Sequence, residues 1–291
     1  MSLAAQRAGT AIGEPGEIVL RERGSLGARV GKYGAVLTMS MTNNLAYAGE
    51  VILRSCFLVL LIYVFLQLWQ TTYGVLHVPT IGGYSITAMI WYFAFAEAIT
   101  LSAPRLATRI DQEVKSGDLA YRLNKPYSYI LYLAADYTGE RVVRFALNLA
   151  ISTSLCLLLV GPIAFGGGGI GATALLVAGG WAIDFLATCL LGLLSFWVED
   201  TFAFVFIYSR VLLLLGGTLL PLDVFPDWTR AIVQALPFGY MIYGPARSLV
   251  QFDAGFFWEM LLKQGVTVVV LGGLVSLIFR AGTRRVTING G

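Results

Sequence analysis

From Phe145 to Phe165 the chain runs without one Asp, Glu, Lys or Arg. A helix needs about 20 mostly apolar residues to cross the ~30 Å hydrocarbon core of a bilayer, and this run supplies them. Further runs share its character, so six spans are expected, at 51–69, 84–101, 145–165, 172–198, 201–220 and 260–279, with Glu97 interrupting the second and Lys263 the last. The runs are continuously apolar, not alternating, which selects helices over a membrane β-barrel. Composition agrees: 57% of residues are hydrophobic and 13% charged, against about 25% charged in soluble domains. The expected fold class is an all-α polytopic membrane protein.

The positive charges set the orientation. Arg7, Arg21, Arg23, Arg29 and Lys32 precede the first span, Arg105, Arg109, Lys115, Arg122 and Lys125 follow the second, and Arg280, Arg284 and Arg285 follow the last. The intervening segments 70–83 and 166–171 hold none, and 221–259 holds only Arg230 and Arg247. By the positive-inside rule both termini are cytoplasmic, as an even number of spans requires. Residues 1–31, with Gly9, Gly13, Pro15 and Gly16 and no apolar signal core, read as a flexible cytoplasmic leader, 32–285 as the transmembrane domain and 286–291 as a cytoplasmic tail. A formal charge of +3 points to no nucleic-acid partner, and Cys56, Cys156 and Cys189 all fall in apolar runs, against a disulfide framework. The single histidine, His77, argues against a metal site.

Two connecting segments are patterned. PRLATRIDQEVKSGDLAYRLNKP (104–126) opens with a proline where helix starts tolerate one and has Gly117 where a helix stops. Arg109 with Glu113 and Asp111 with Lys115 are spaced i, i+4, and Asp118 can cap a second short helix carrying Leu119 and Leu123. Such a helix pair is either a docking surface or a solvated hairpin on headgroups. In the outer segment 221–253, Asp227 can cap a helix from Trp228 to Leu236. Pro221, Pro226, Pro237 and Pro245 forbid one continuous helix, so interfacial or re-entrant broken helices are expected. Gly166, Gly168 and Gly171 fit a dinucleotide pattern but follow no strand, and GARVGKY from Gly27 is one residue short of a phosphate loop and lacks its hydroxyl. Neither supports an ATP site, and no catalytic motif suggests an enzyme.

Four ionisable residues fall inside spans. Arg54 and Glu97 match in depth on the first two spans. Asp184 and Arg210 match on the fourth and fifth, which the short turn through Glu199 and Asp200 makes antiparallel neighbours. The pairs Arg54–Glu97 and Asp184–Arg210 are therefore predicted, either fixing helix register, the favoured reading, or lining a route. Aromatic i, i+4 pairs recur at Trp91 and Phe95, Trp181 and Phe185, Phe202 and Phe206, and Phe204 and Tyr208. They read as core packing or lipid contact. Where they line a route, Trp91, Phe95, Phe202 and Phe206 would suit a hydrophobic or amphiphilic cargo.

The layout and two segments resemble a known family. EVKSGDLAYRLNKPYSY (113–129) is similar to the acidic, basic, Gly, Leu … Leu, Lys-Pro segment of type-2 ATP-binding-cassette (ABC) exporter permeases. GGTLLPLDVFPDWTRAIVQALPFGYMIYGPARSL (216–249) is similar to their Gly … Pro … Phe-Pro … Leu-Pro-Phe … Pro signature, and NNLAYAGEVILRSCF and IGGYS resemble one bacterial branch. The resemblance covers most of 32–285 and implies half of a pore in the bacterial cytoplasmic (inner) membrane, with an outer re-entrant-type hairpin. The other half would be an identical or related permease, and the branch's frequent use of two different ones favours a heteromeric pore. Two copies of a separate ATPase subunit would hold the ATP and Mg, leaving no cofactor on this chain. Docking then maps to Arg109, Glu113, Lys115, Gly117, Asp118, Leu123 and Pro126, which decides for docking over a solvated hairpin. A helix over 32–50 would lie along the inner membrane face. ATP-driven closure would tilt the docked helices, the first, second and fifth spans would open or close, and Pro221, Phe225, Pro226, Trp228, Pro237, Phe238 and Pro245 would form an outer gate. The implied activity is ATP-driven export of a hydrophobic or amphiphilic cargo. The alternatives are an ion-gradient-driven secondary transporter, whose internal repeats this chain does not show, and a non-transport membrane partner of an ATPase.

Overall fold

The computed structural model describes residues 26–46, 48–163 and 169–289; residues 1–25 of the expected leader lie outside them. Among the described residues the chain is helical throughout: α1 (Leu26–Ala46), α2 (Ala48–Leu76), α3 (Ile86–Leu101), α4 (Leu106–Lys115), α5 (Asp118–Leu123), α6 (Tyr129–Leu159), α7 (Gly169–Leu193), α8 (Phe202–Leu215), α9 (Asp227–Ala235), α10 (Phe238–Met241), α11 (Tyr243–Val250) and α12 (Ala254–Asn289). Five stretches are long and apolar enough to cross a membrane, Phe57–Leu76, Ile86–Lys115, Tyr129–Leu159, Gly169–Phe196 and Ala254–Arg284. The chain is a polytopic helical membrane protein.

Three expected boundaries are corrected. The fifth span, expected over 201–220, is the 14-residue α8, about 21 Å long and so shorter than the ~30 Å core. It stops because Gly217 takes a left-handed φ of 82°. The backbone groups freed there must be satisfied inside the protein. The Tyr243 amide donates to the Gly216 carbonyl at 3.0 Å and the Tyr92 hydroxyl to the Gly217 carbonyl at 2.5 Å. Second, α6 begins at Tyr129, well before the expected 145, and carries Asp136, Glu140, Arg141 and Arg144 within it. A hydropathy window stops at such charges, whereas Asp136, Glu140, Arg141 and Arg144 each have an ion-pair partner here. Third, α1 starts at Leu26, inside the expected leader, and α12 runs past 285 into the expected tail.

The core forms around α3. Its residues from Met89 to Ile99 are all buried, so it is apolar round its whole circumference except at Glu97. On α2 the stripe Leu58, Ile62, Leu66, Trp69 and Tyr73 turns inward at helical spacing, and Phe65 stacks on Phe93 at 3.8 Å between ring centroids. The hairpin formed by α9, α10 and α11 folds back into the bundle, as its prolines suggested. A Cβ on Gly180 would lie 2.7 Å from the Met241 carbonyl oxygen, so α10 touches α7 eleven residues, about 16 Å, from the start of that helix. Gln264 of α12 seals the contact by donating to the carbonyls of Leu176 and Tyr240, both at 2.8 Å.

At the other end of the bundle α1 lies parallel to the start of α6. The Ser128 amide donates to the Tyr33 hydroxyl at 3.0 Å, Ser40 donates to the Asp136 carbonyl at 2.8 Å, and a Cβ on Gly139 would sit 2.5 Å from the Leu37 carbonyl oxygen. A second core gathers here from Leu106, Ile110, Leu119, Leu133, Phe185 and Leu193. Gly192 admits α4 to it, since a Cβ there would be 2.7 Å from the Ile110 Cβ. Gly192→Val is expected to lower stability by about 1–3 kcal/mol through overpacking. Gly265→Ala, which meets nothing within 4 Å, is expected to leave the melting temperature unchanged or slightly raised, both read by thermal unfolding in detergent.

Candidate functional site

The α4–α5 segment is fastened on one side and open on the other. Leu106 and Ile110 anchor α4 in the second core. Both expected i, i+4 pairs form, Arg109 with Glu113 at 3.3 Å and Lys115 with Asp111 at 2.7 Å. Glu113 is buried, and its carboxylate also forms an ion pair with Arg122 of α5 at 3.3 Å and accepts from the Tyr129 hydroxyl of α6 at 2.8 Å. One carboxylate thus joins α4, α5 and α6. Arg109 pairs in addition with Asp136 of α6, and Lys115 reaches Asp200 in the α7–α8 turn at 3.7 Å.

The residues mapped to docking therefore divide. Arg109, Glu113 and Lys115 spend their charges on this chain, and Leu123 is half-buried. Gly117, Asp118 and Pro126 are exposed, together with Tyr121, at 67%. Gly117 is needed for its φ of 80° and not for space, since a Cβ there meets nothing within 4 Å. It precedes α5 directly, so Asp118 sits in the first turn of that helix and not at its cap.

The expected pair Asp184–Arg210 is corrected. Asp184 is bound by Arg141 of α6 at 2.6 Å, with both side chains buried. The Tyr137 hydroxyl donates to the same carboxylate oxygen at 2.6 Å, and the Tyr208 hydroxyl of α8 to the other at 2.8 Å. Arg141 also donates to the Ile99 carbonyl of α3 at 3.5 Å and lies 5.4 Å from the Trp181 ring. Arg210 lies instead on the exposed side of α8, 4.9 Å from the Phe206 ring centroid. The reason is rotation: two residues along a helix are 200° apart, so Tyr208 facing Asp184 turns Arg210 away. Arg141 belongs to the part of α6 that hydropathy left outside the membrane. Its spacing from Tyr137, i, i+4, was the one available signal. Glu97 is buried, and the Arg54 side chain, its expected partner, lies outside the described residues.

The expected lining aromatics also divide. Trp91 and Phe95 are core residues: Trp91 donates its indole N–H to the Gly161 carbonyl at 3.0 Å, and Phe95 meets Phe145 edge-on. Phe202 and Phe206 are exposed and stack on one another at 6.3 Å. In the hairpin, Pro221 and Pro245 are buried, Phe225, Pro237 and Phe238 are partly buried, and Pro226 and Trp228 are exposed. The hairpin closes on Asp223, which sequence reasoning missed. Asp223 accepts from Tyr84 at 2.7 Å and Tyr243 at 2.8 Å, with Arg247 at 3.7 Å, tying the loop before α3 to α11. Burial, and then the Asp223 charge, push the Tyr84 hydroxyl above its ordinary pKa and keep it a donor.

Residues 51–290 match the family described as ABC-2 family transporter protein. No curated protein matches the chain.

Removing one partner of a buried ion pair costs about 3–5 kcal/mol, whereas replacing both by apolar residues is often neutral. Arg141→Met is therefore expected to lower the melting temperature strongly, the double change Arg141→Met with Asp184→Leu to recover only part of the loss, because the Tyr137 and Tyr208 hydroxyls lose their carboxylate acceptor, and Arg210→Met to leave it nearly unchanged. Equal losses for Arg141→Met and Arg210→Met in thermal unfolding would overturn the assignment.

Proposed function

The chain belongs to the ABC-2 transporter family, and from that premise we propose that it is one permease of an ATP-driven exporter in a bacterial cytoplasmic membrane. Both termini and the α4–α5 end face the cytoplasm in this reading. Two copies of a separate ATPase subunit bind ATP and Mg and dock on the exposed tip formed by Gly117, Asp118, Tyr121 and Pro126. A second permease, related to this one or identical, completes the pore. The single observation that carries the reading is the two-sided α4–α5 segment, open at its tip and joined by Glu113 to α6 and by Lys115 to the α7–α8 turn.

The mechanism follows from those joints. A push on the tip moves α4 and α5 together, because Glu113 holds both. Through Lys115 and Asp200 it reaches the start of α8, two residues on. On α8 no side chain from Phe202 to Leu215 is fully buried within one chain, and Phe57, Leu60, Tyr63, Val64 and Leu68 of α2 are exposed beside their inward stripe. Those faces meet the second permease and bound the route. The hairpin held by Asp223 closes its outer end, and an apolar or amphiphilic cargo suits such walls.

The test is gentle purification from the native membrane followed by mass spectrometry of the intact complex. Two ATPase subunits per particle are expected, with one or two kinds of permease visible in the same spectrum. Asp118→Arg is expected to cut the ATPase-bound fraction about tenfold by placing a like or mismatched charge at the contact, with insertion and melting temperature unchanged. A lone chain or permease pair without ATPase in several mild detergents would overturn the proposal.

A further inference from the structure

Arg210 is out of place for a residue facing lipid. It is the ninth residue of the 14-residue α8. Its depth is set by Tyr208, whose hydroxyl is bonded to the buried Asp184. An arginine at that depth is unfavourable against hydrocarbon and faces protein, water or an anion. Arginines near a helix end relieve the cost by reaching toward the interface. This one is eight residues, about 12 Å, from the start of α8, and its guanidinium lies over Phe206, one turn back, so it stays against the rings. Phe206 in turn stacks on Phe202, so Phe202, Phe206 and Arg210 form one exposed i, i+4, i+8 stripe.

No counter-charge for Arg210 is found among the described residues of this chain. Among the described residues the carboxylates on the helices that cross the membrane are already engaged: Asp184 is closed by Arg141, Tyr137 and Tyr208, Asp136 pairs with Arg109, Glu140 with Arg144 and Glu259 with Lys263, and Glu97 is buried. A second copy would bring the same residues. An anion delivered along the route would answer the charge, and the two phenyl rings beside it call for an apolar body attached to that anion; a carboxylate on a different second permease is the outcome that the test below separates.

We propose that the stripe Phe202–Phe206–Arg210 is a cargo-contact site for an anionic amphiphile, a phosphate- or carboxylate-headed molecule with an apolar tail. The guanidinium binds the head, bidentate where two oxygens are presented, and the rings take the tail. This rests on the reading above that α8 faces the route between two permeases, and it narrows the cargo from amphiphilic to anionic.

The experiment uses the complex purified with its ATPase in phosphatidylcholine nanodiscs. Two photoreactive probes share one alkyl tail, one headed by phosphate and the other by trimethylammonium, and labelled peptides are mapped. The phosphate probe is expected to label α8 and the trimethylammonium probe not to. Arg210→Gln is expected to lower phosphate labelling about tenfold, the scale of a lost hydrogen bond to a charged group, and Arg210→Lys to retain most of it. Competition by phosphatidylglycerol would identify the bilayer's own anionic lipid as the occupant, and its absence a free amphiphile; both support an anion site. Equal labelling by the two probes, or labelling unchanged in Arg210→Gln, would overturn the proposal. So would loss of the permease pair in Arg210→Gln, which would make the counter-charge a carboxylate of the other permease. Presence of the ATPase in the same preparation is read separately, so failure of the exporter reading and failure of this site are distinguishable.

Discussion

A charged pair kept inside a nonpolar bundle constrains the helices around it, because its charged groups draw hydrogen-bond partners from the protein. Arg141 and Asp184 meet at 2.6 Å, and Tyr137, Tyr208 and the Ile99 carbonyl supply further hydrogen bonds. Those groups come from α3, α6, α7 and α8. Meeting them all leaves each helix a narrow range of rotation and depth, whereas apolar contacts alone would tolerate sliding. The rotation matters most for α8. With Tyr208 turned inward, the Phe202, Phe206 and Arg210 side chains have to face out.

The two ends of the bundle use the same device for different purposes. At one end Glu113 collects Arg109, Arg122 and Tyr129, so that two short helices and the start of a long one move as a unit. At the other end Asp223 collects Tyr84, Tyr243 and Arg247 and binds a re-entrant hairpin to the loop before α3. Close approach of backbones completes both ends, through Gly192 against α4 and Gly180 against α10. In the proposed exporter these are the two places where motion enters and where the route is closed. The α8 helix runs between them, held at its base by the turn that Lys115 touches and at its top by the Tyr243 amide.

Much of this architecture is legible in the residue order. The apolar runs mark the long membrane-crossing helices, the i, i+4 pairs of α4 form as spaced, and the prolines break the segment 221–253 where the hairpin bends. The errors share a cause. The start of α6 was missed because Asp136, Glu140, Arg141 and Arg144 look prohibitive until their partners are known. Arg210 was assigned to Asp184 on matched depth alone, without the rotation that separates it from Tyr208. Glu113 matched a family docking segment, yet its carboxylate points into the chain.

By itself the sequence determined that the chain crosses a membrane as helices, where most of the crossings lie, and that its longest connectors are structured. These follow from hydropathy and helical spacing, properties of neighbours along one chain. Only the tertiary structure decided which charge answers Asp184, which residues of the α4–α5 segment face outward, and that α8 stops short at Gly217. Those outcomes depend on which helices lie side by side and how each is turned, at 100° per residue, about its own axis. No window along the sequence contains that information.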